Sequence, residues 1–255
     1  IFPTRKRVEP CIFSLQNAFD LADEPDRIEV LLGVDDDDEK TYNSLMEFIK
    51  KSGFNVKIHR FERKSWVSFP DYLNELVKHT KGNWVWPYSD DVIMEEVSKG
   101  WDSYIRKHDG RFVVLSPWCP NNHRVKKSKK LQKSHSYNPI VTKKWCEILG
   151  MFGPDPANDV WVEMVSKELG IFHMAGEKDH AEGEGITIFS RRYKDSGDKS
   201  MKDQLYAEVQ QRRRKWKIGM RKKKGSTTVA ERTKGTRKDA VRKIKAYFEK
   251  KAKNK

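Results

Sequence analysis

Two short acidic stretches are the residues of this chain best suited to chemistry. Asp35-Asp36-Asp37-Asp38 closes the apolar run from Ile28 to Val34, and Ser89-Asp90-Asp91 follows Trp84-Val85-Trp86. Carboxylates gathered on neighbouring loops repel one another, and each ionised pair costs stability unless a cation lies between them. A divalent ion carrying a diphosphate removes that cost. The protein then supplies one or two carboxylates, and phosphate and water oxygens complete the shell that Mg²⁺ or Mn²⁺ prefers. The four-residue run alone also fits a solvated acidic turn. Ser89-Asp90-Asp91 is harder to read that way, because Asp is a poor choice beside a buried strand unless it has a task.

The elements that must position these residues follow from periodicity. A strand opens the chain at Ile1–Phe2, and after Pro3-Thr4-Arg5 a helical pattern carries Ile12, Leu15, Phe19 and Leu21. Strands are predicted over 28–34, 54–61, 83–88, 111–115 and 171–174. Helices are predicted over 39–51 (stopped by Gly53), 69–79, 142–149 and 159–169. Asn158 is the expected N-cap of the last of these, which places Asp159 and Glu163 in its first turns. Repeated β-α units of about 30 residues imply an α/β domain, a Rossmann-like, mostly parallel sheet flanked by helices. Ligands of such sheets bind beyond the carboxyl ends of the strands, and both acidic stretches sit there. Residues 118–137 form a long connection with Lys126, Lys127, Lys129, Lys130 and Lys133, read as a mobile active-site loop or a disordered insert.

Charge divides the chain. The whole carries +15; residues 201–255 hold 21 Lys and Arg against 5 Asp and Glu, a net of +16, so residues 1–200 are near neutral at −1. The expected organisation is a catalytic domain over 1–200 and a basic helical extension over 201–255. Arg212, Arg213, Arg214, Lys222 and Lys223, with the lysines of the 118–137 connection, are the candidate nucleic-acid contacts, since Lys and Arg neutralise phosphates and release counterions. A last helix from about Thr228 gathers Val241, Ile244, Tyr247 and Phe248 on one stripe, which suits either a membrane surface or packing onto the body. No stretch approaches the roughly 20 apolar residues of a bilayer span. Cys11, Cys119 and Cys146 are odd in number and widely spaced, as expected of reduced thiols in the cytoplasm. The chain opens without Met inside a strand-like run, the expectation for a sequence lacking a few native residues.

The order of these stretches resembles family 2 glycosyltransferases with the GT-A fold. Ile1-Phe2-Pro3-Thr4-Arg5-Lys6-Arg7 is similar to their first strand and turn, and Ile28 to Thr41 to the second strand and its nucleotide-binding Asp loop. Gly82 to Ile93, followed by Gly100-Trp101-Asp102, resembles the segment with the metal-binding Asp motif. Tyr88 stands where the commoner Asp-x-Asp form has its first Asp. Pro139-Ile140-Val141, Leu149-Gly150 and Asn158-Asp159-Val160-Trp161 extend the likeness to about residue 195.

The resemblance implies that Thr4, Arg5, Asp35, Asp37 and Asp90 hold a nucleotide-sugar, with UDP-sugars commonest in the family. It implies that Asp91 binds Mn²⁺ or Mg²⁺, with Asp90 meeting the ribose or the metal, and that the ion is joined by His180 or, as second choice, His173. Asp159 would be the general base of an inverting transfer, with Glu163, one turn on, as the alternative. Together with the basic extension, this points to a hydroxymethylated pyrimidine in DNA as acceptor, as in viral DNA modification in a host cytoplasm. Reaching a base hydroxyl in the major groove need not require flipping; if the base is flipped, Trp118 or Trp145 would receive it. Two other expectations stand beside it: a cytoplasmic enzyme for a lipid-linked or polysaccharide acceptor, its tail on anionic lipid, and a non-catalytic nucleic-acid-binding protein.

Overall fold

Adjacent leucines on one strand show how the core is divided. Leu31 packs with Leu73, Leu76, Val114 and Trp161 on one side of the sheet, and Leu32 with Phe2, Leu15, Leu45 and Leu115 on the other. This is the two-residue alternation of a strand buried on both faces. The structure, a computed structural model, describes residues 1–63, 69–119, 138–155, 157–176, 185–190 and 233–253.

Strand β1 (Phe2–Thr4) leads into helix α1 (Val8–Asp20), β2 (Val30–Asp35) into α2 (Glu39–Ser52), and β3 (Val56–Phe61) precedes α3 (Phe69–His79). These three strands are parallel, in the order β1-β2-β3, with Thr4 opposite Val34 and Asp35 opposite Phe61. The next elements are β4 (Trp84–Val85), β5 (Val92–Met94), α4 (Trp101–Arg106), β6 (Val114–Pro117) and β7 (Ile140–Thr142). They are followed by α5 (Lys143–Leu149), α6 (Asn158–Glu168), β8 (Phe172–Ala175) and β9 (Ile188–Ser190). A second sheet has the order β4-β7-β6-β8, with β7 antiparallel to both neighbours and β8 parallel to β6. The Ile1 nitrogen donates to the Trp86 carbonyl at 2.8 Å, so β1 runs beside the chain that leaves β4. The fold is thus α/β, a three-stranded parallel sheet beside a four-stranded mixed sheet, covered by helices.

Several sequence expectations are corrected. The strand expected over 83–88 is regular only at Trp84–Val85, because the Tyr88 N–H turns back onto the Trp86 carbonyl (2.9 Å) and leaves the ladder. The strand expected at 111–115 starts at Val114, since Arg111 still closes a turn onto the His108 carbonyl, and it runs on to Pro117. The β5–β9 ribbon was not expected; it pairs residues nearly a hundred apart in three-residue strands. Asn158 is not the N-cap of α6. Ala157 holds that place, and the Asn158 carboxamide accepts from the Asp155 N–H at 3.1 Å.

The last described helix, α7 (Lys234–Lys253), is part of the body. Ala240, Val241 and Ile244 are buried with Trp145, Leu149, Trp161 and Val165, Phe248 meets Phe112 edge-on at 4.9 Å, and Lys144 lies over the Tyr247 ring. The apolar stripe therefore faces protein. Among the described residues no helix is long and apolar enough to cross a membrane. Residues 201–232, with the start expected for α7 near Thr228, lie outside the described residues.

Candidate active site

The parallel register of β1 and β2 delivers Arg5 and Asp35 side by side at the carboxyl edge of the sheet. Between Arg5 and Arg7 the chain turns at Lys6, whose φ of 53° lies in the left-handed region that non-glycine residues seldom occupy. The turn sends the two guanidiniums to different carboxylates. Arg5 Nη1 donates to Asp35 Oδ2 at 2.8 Å, and Arg5 also forks onto both oxygens of Asp37, with Nη2 at 3.0 Å from Oδ2. Arg7 Nη1 donates to Asp90 Oδ1 at 2.6 Å, while Thr4 Oγ1 donates to Asp90 Oδ2 at 2.8 Å. The Arg5 hydrogen bonds hold the Asp37 carboxyl down at about 2, against its ordinary value of 3.8.

The acidic run is divided by task. Asp38 caps α2 through the Thr41 N–H and accepts from the Lys6 N–H at 2.6 Å, fixing the Arg5–Arg7 turn against the second loop. Asp36 accepts from the Arg63 N–H at 3.2 Å, and Arg63 Nη1 also reaches Asp37 Oδ2 at 3.2 Å. Asp35 and Asp37 face Arg5. Two arginines, Arg5 and Arg63, thus offset a row of carboxylates that would otherwise repel one another.

Asp90 and Asp91 are 5% and 1% exposed. Asp90 is bound through both oxygens to Thr4 and Arg7, and Asp91 Oδ1 accepts from the Ser89 hydroxyl. Cys11 lies close by; burial pushes its thiol well up, and the Asp90 charge pushes the same way, so it is kept as the unreactive thiol.

Helix α6 is joined to β8 by a tight turn at Gly170, whose φ of 69° lies in the left-handed region. Asp159, half-buried, lies in the first turn of α6. Glu163 is one turn further in, 7% exposed, and accepts from Lys167 Nζ at 2.6 Å.

Of the residues singled out from the sequence, Thr4, Arg5, Asp35, Asp37 and Asp90 are brought together, with Asp91 adjacent in the chain. Asp159 lies on another element, in the first turn of α6, and Glu163 accepts from Lys167. His173 sits within β8 opposite Leu115, where its Nε2 lies 3.1 Å from the Tyr104 hydroxyl. Trp145 cannot stack on an extruded base: it is 1% exposed in the core and donates to the Phe152 carbonyl at 3.1 Å. Trp118 is half-buried just past β6. His180, Lys126, Lys127, Lys129, Lys130, Arg212, Arg213, Arg214, Lys222 and Lys223 lie outside the described residues.

Sequence reasoning missed Arg7, Ser89, Arg63 and the capping role of Asp38. The signal was present for Arg7: a basic triplet directly after one strand, at the same edge as two acidic stretches. Among the described residues, no three His, Cys, Asp or Glu side chains are grouped to hold a metal by themselves. The donor set nevertheless fits Mg²⁺ or Mn²⁺, which are usually held by one or two carboxylates plus substrate phosphates. Asp91, a buried hard-oxygen ligand on a turn at the sheet edge, is the side chain that would hold the ion.

No family model and no curated protein matches this sequence. Solved structures do match it in shape. The mannosyltransferase PcManGT from Pyrobaculum calidifontis, in complex with GDP-Man and Mn²⁺, aligns with a TM-score of 0.58 at 14% identity, over 76% of this chain and 56% of its own. TarS 1–349 of S. aureus in complex with UDP aligns with a TM-score of 0.54 at 16% identity, over 82% of this chain and 69% of its own. The same protein with UDP-GlcNAc gives 0.53, also at 16% identity, over 83% and 70%. At such identities the likeness establishes the fold, and the chain has the GT-A fold. It spans little more than half the length of the mannosyltransferase.

Proposed function

We propose that this chain is a metal-dependent glycosyltransferase, moving a sugar from a nucleotide-sugar, a UDP-sugar in the first instance, to an acceptor hydroxyl with inversion. The observation that carries the reading is the convergence of Thr4, Arg5, Asp35, Asp37 and Asp90, beside Asp91, at the carboxyl edge of a GT-A sheet. The mannosyltransferase and TarS carry their nucleotide-sugars on the same fold. Asp35, Asp37 and Asp90 would hold the base and ribose, with Thr4 and Arg5 setting their carboxylates. Asp159 would take the proton from the acceptor oxygen as that oxygen attacks the anomeric carbon opposite the leaving diphosphate. A bound Mn²⁺ or Mg²⁺, held by Asp91 and His180, would offset the charge that builds on the departing nucleotide diphosphate. Glu163, already paired with Lys167, is the less suited base.

For the acceptor we favour a hydroxymethylated pyrimidine in DNA, modified in the cytoplasm of a virus-infected cell. The transfer unit would lie within 1–200. Arg212–Arg214, Lys222, Lys223 and the lysines at 126, 127, 129 and 130 would engage the phosphates. The basic excess of residues 201–255 supports this. A lipid-surface tail has less support, because the apolar stripe of α7 is covered by the body. The test is to incubate enzyme, Mn²⁺ and labelled UDP-sugars with hydroxymethylated and plain DNA. Label in the modified DNA alone is expected. Nucleotide release that depends on Mn²⁺ and Asp91 without label in DNA would overturn the acceptor and leave the enzyme class. No release from any UDP- or GDP-sugar would overturn both.

A further inference from the structure

The buried face of α7 leaves its solvent face with an ordered row of positive charge. Lys234, Lys238, Arg242, Lys245 and Lys253 recur at helical spacing along one side, interrupted by Glu249, and all five basic residues are exposed. At 1.5 Å per residue the row is about 28 Å long. Arg237 is used by the fold in an ion pair with Glu168, and Arg242 and Lys243 share Asp239. Lys234, Lys238, Lys245 and Lys253 have no ion pair among the described residues.

We propose that this face of α7 is a docking surface for the backbone of duplex DNA, separate from the transfer site. It rests on the acceptor reading above only for what the duplex is for. Three features favour a duplex over a membrane. Most of the apolar face of the helix is covered, with Ala240, Val241 and Ile244 at 2%, 7% and 2% exposed, which leaves Phe248, 37% exposed and in contact with Phe112, as too small an apolar surface to anchor in lipid. Its free charges form a line, as a phosphate backbone does. Docking onto α5 and α6 fixes that line to a rigid body, so little order is lost on binding. The place of the helix sets its role. Arg237 meets Met164 and Glu168 in the second half of α6. Asp159 is at the other end of that helix, about 14 Å from Glu168 by helical rise. The α7 face therefore holds a duplex near the enzyme and does not orient the reacting hydroxyl.

The experiment is fluorescence anisotropy of the full chain with an unmodified 20-base-pair duplex, titrated with salt, without donor. The Lys234→Gln, Lys238→Gln, Lys245→Gln, Lys253→Gln quadruple variant keeps helix propensity. Each lost phosphate contact lowers the slope of log K against log salt by about 0.9, so a drop of about 3.6 is expected, with at least tenfold weaker binding. Should the quadruple variant fail to fold, Lys238→Gln and Lys245→Gln singly are each expected to lower the slope by about 0.9. An unchanged slope overturns the proposal, as does tighter binding of phosphatidylserine vesicles than of duplex. Plain duplex is the probe, so a failure to glycosylate hydroxymethylated DNA leaves this result readable on its own.

Discussion

Replacing Arg7 by Met tests whether the basic triplet after β1 builds the site. Asp90 is 5% exposed and divides its oxygens between Thr4 and Arg7, whose own side chain is 29% exposed. Breaking a fully buried pair costs about 3–5 kcal/mol, and a surface pair is worth about 0–1 kcal/mol. Arg7 lies between these limits, and a hydrogen bond to a charged group contributes about 1.5–3 kcal/mol. A loss of about 2 kcal/mol is therefore expected, because the Asp90 charge stays buried with only the Thr4 hydroxyl of the pair. At about 2–4 °C per kcal/mol for a chain of this size, Tm should fall by about 4–8 °C. In an Asp90→Asn background the same replacement should cost less than about 0.5 kcal/mol, since no buried charge is left stranded. Urea and thermal melts of the four proteins in the cycle measure this. Equal costs of Arg7→Met in both backgrounds would refute the pairing, and with it the idea that Asp90 is fixed by β1.

At Gly33 a Cβ would stand 2.8 Å from the Phe61 ring, so Gly33→Ala should destabilise by about 1–3 kcal/mol, measured by urea melts. Burial pushes the Asp102 carboxyl up, but the N–H groups of Asp23 and Glu24 and the Arg106 guanidinium outweigh it and hold it below its ordinary value. Its stabilisation is therefore full above the unfolded carboxylate range, near 4, and lost as pH falls through the lower folded value; Asp102→Asn should flatten the plot of Tm against pH on that acid side. Asp159→Asn should lower kcat about 10²–10⁴-fold without weakening donor binding, whereas Glu163→Gln should act on Tm and leave kcat within a few-fold; the reverse pattern in steady-state kinetics would move the base to Glu163. Ile244→Ala, at a residue 2% exposed, should cost about 2–5 kcal/mol in thermal melts, and a negligible cost would detach α7 from the core.

Local periodicity was legible where packing obeys it. The helix over 69–79 follows from the spacing of Leu73, Leu76 and Val77, and the structure buries those residues. Gly53 ends α2 in the left-handed conformation that its position implied. Asp35, Asp37, Asp90 and Asp91 could be placed at one edge because strand direction alone decides it. What the chain hides is choice of partner. Whether Arg7 meets Asp90 or Asp37 depends on a single left-handed residue, Lys6, whose type does not announce it. Asn158 looks like a cap by type, yet its carboxamide answers to the Asp155 N–H, a contact set by the preceding loop. Trp145 and the α7 stripe share a further ambiguity. An apolar side chain reports that something covers it but not what, and here they lie in one core cluster with Trp161.

That shared core changes the meaning of the charge division. Read along the sequence, +16 belongs to residues 201–255 and a near-neutral body to the rest. In space, α7 carries nine Lys and Arg against two acidic residues, and it is anchored by the aliphatic side chains of Val241 and Ile244 to the tryptophans of α5 and α6. Burying each such side chain contributes about 1.5–3 kcal/mol, so the positive face is held in place by hydrophobic packing that salt does not weaken. Salt would screen that face but would not loosen α7 from the body. A basic segment tethered only by a flexible chain would sample many directions. Fixed on the α5–α6 face, its field has a direction relative to the Asp35–Asp91 edge, so a polyanion drawn to it would approach the body in a restricted set of orientations.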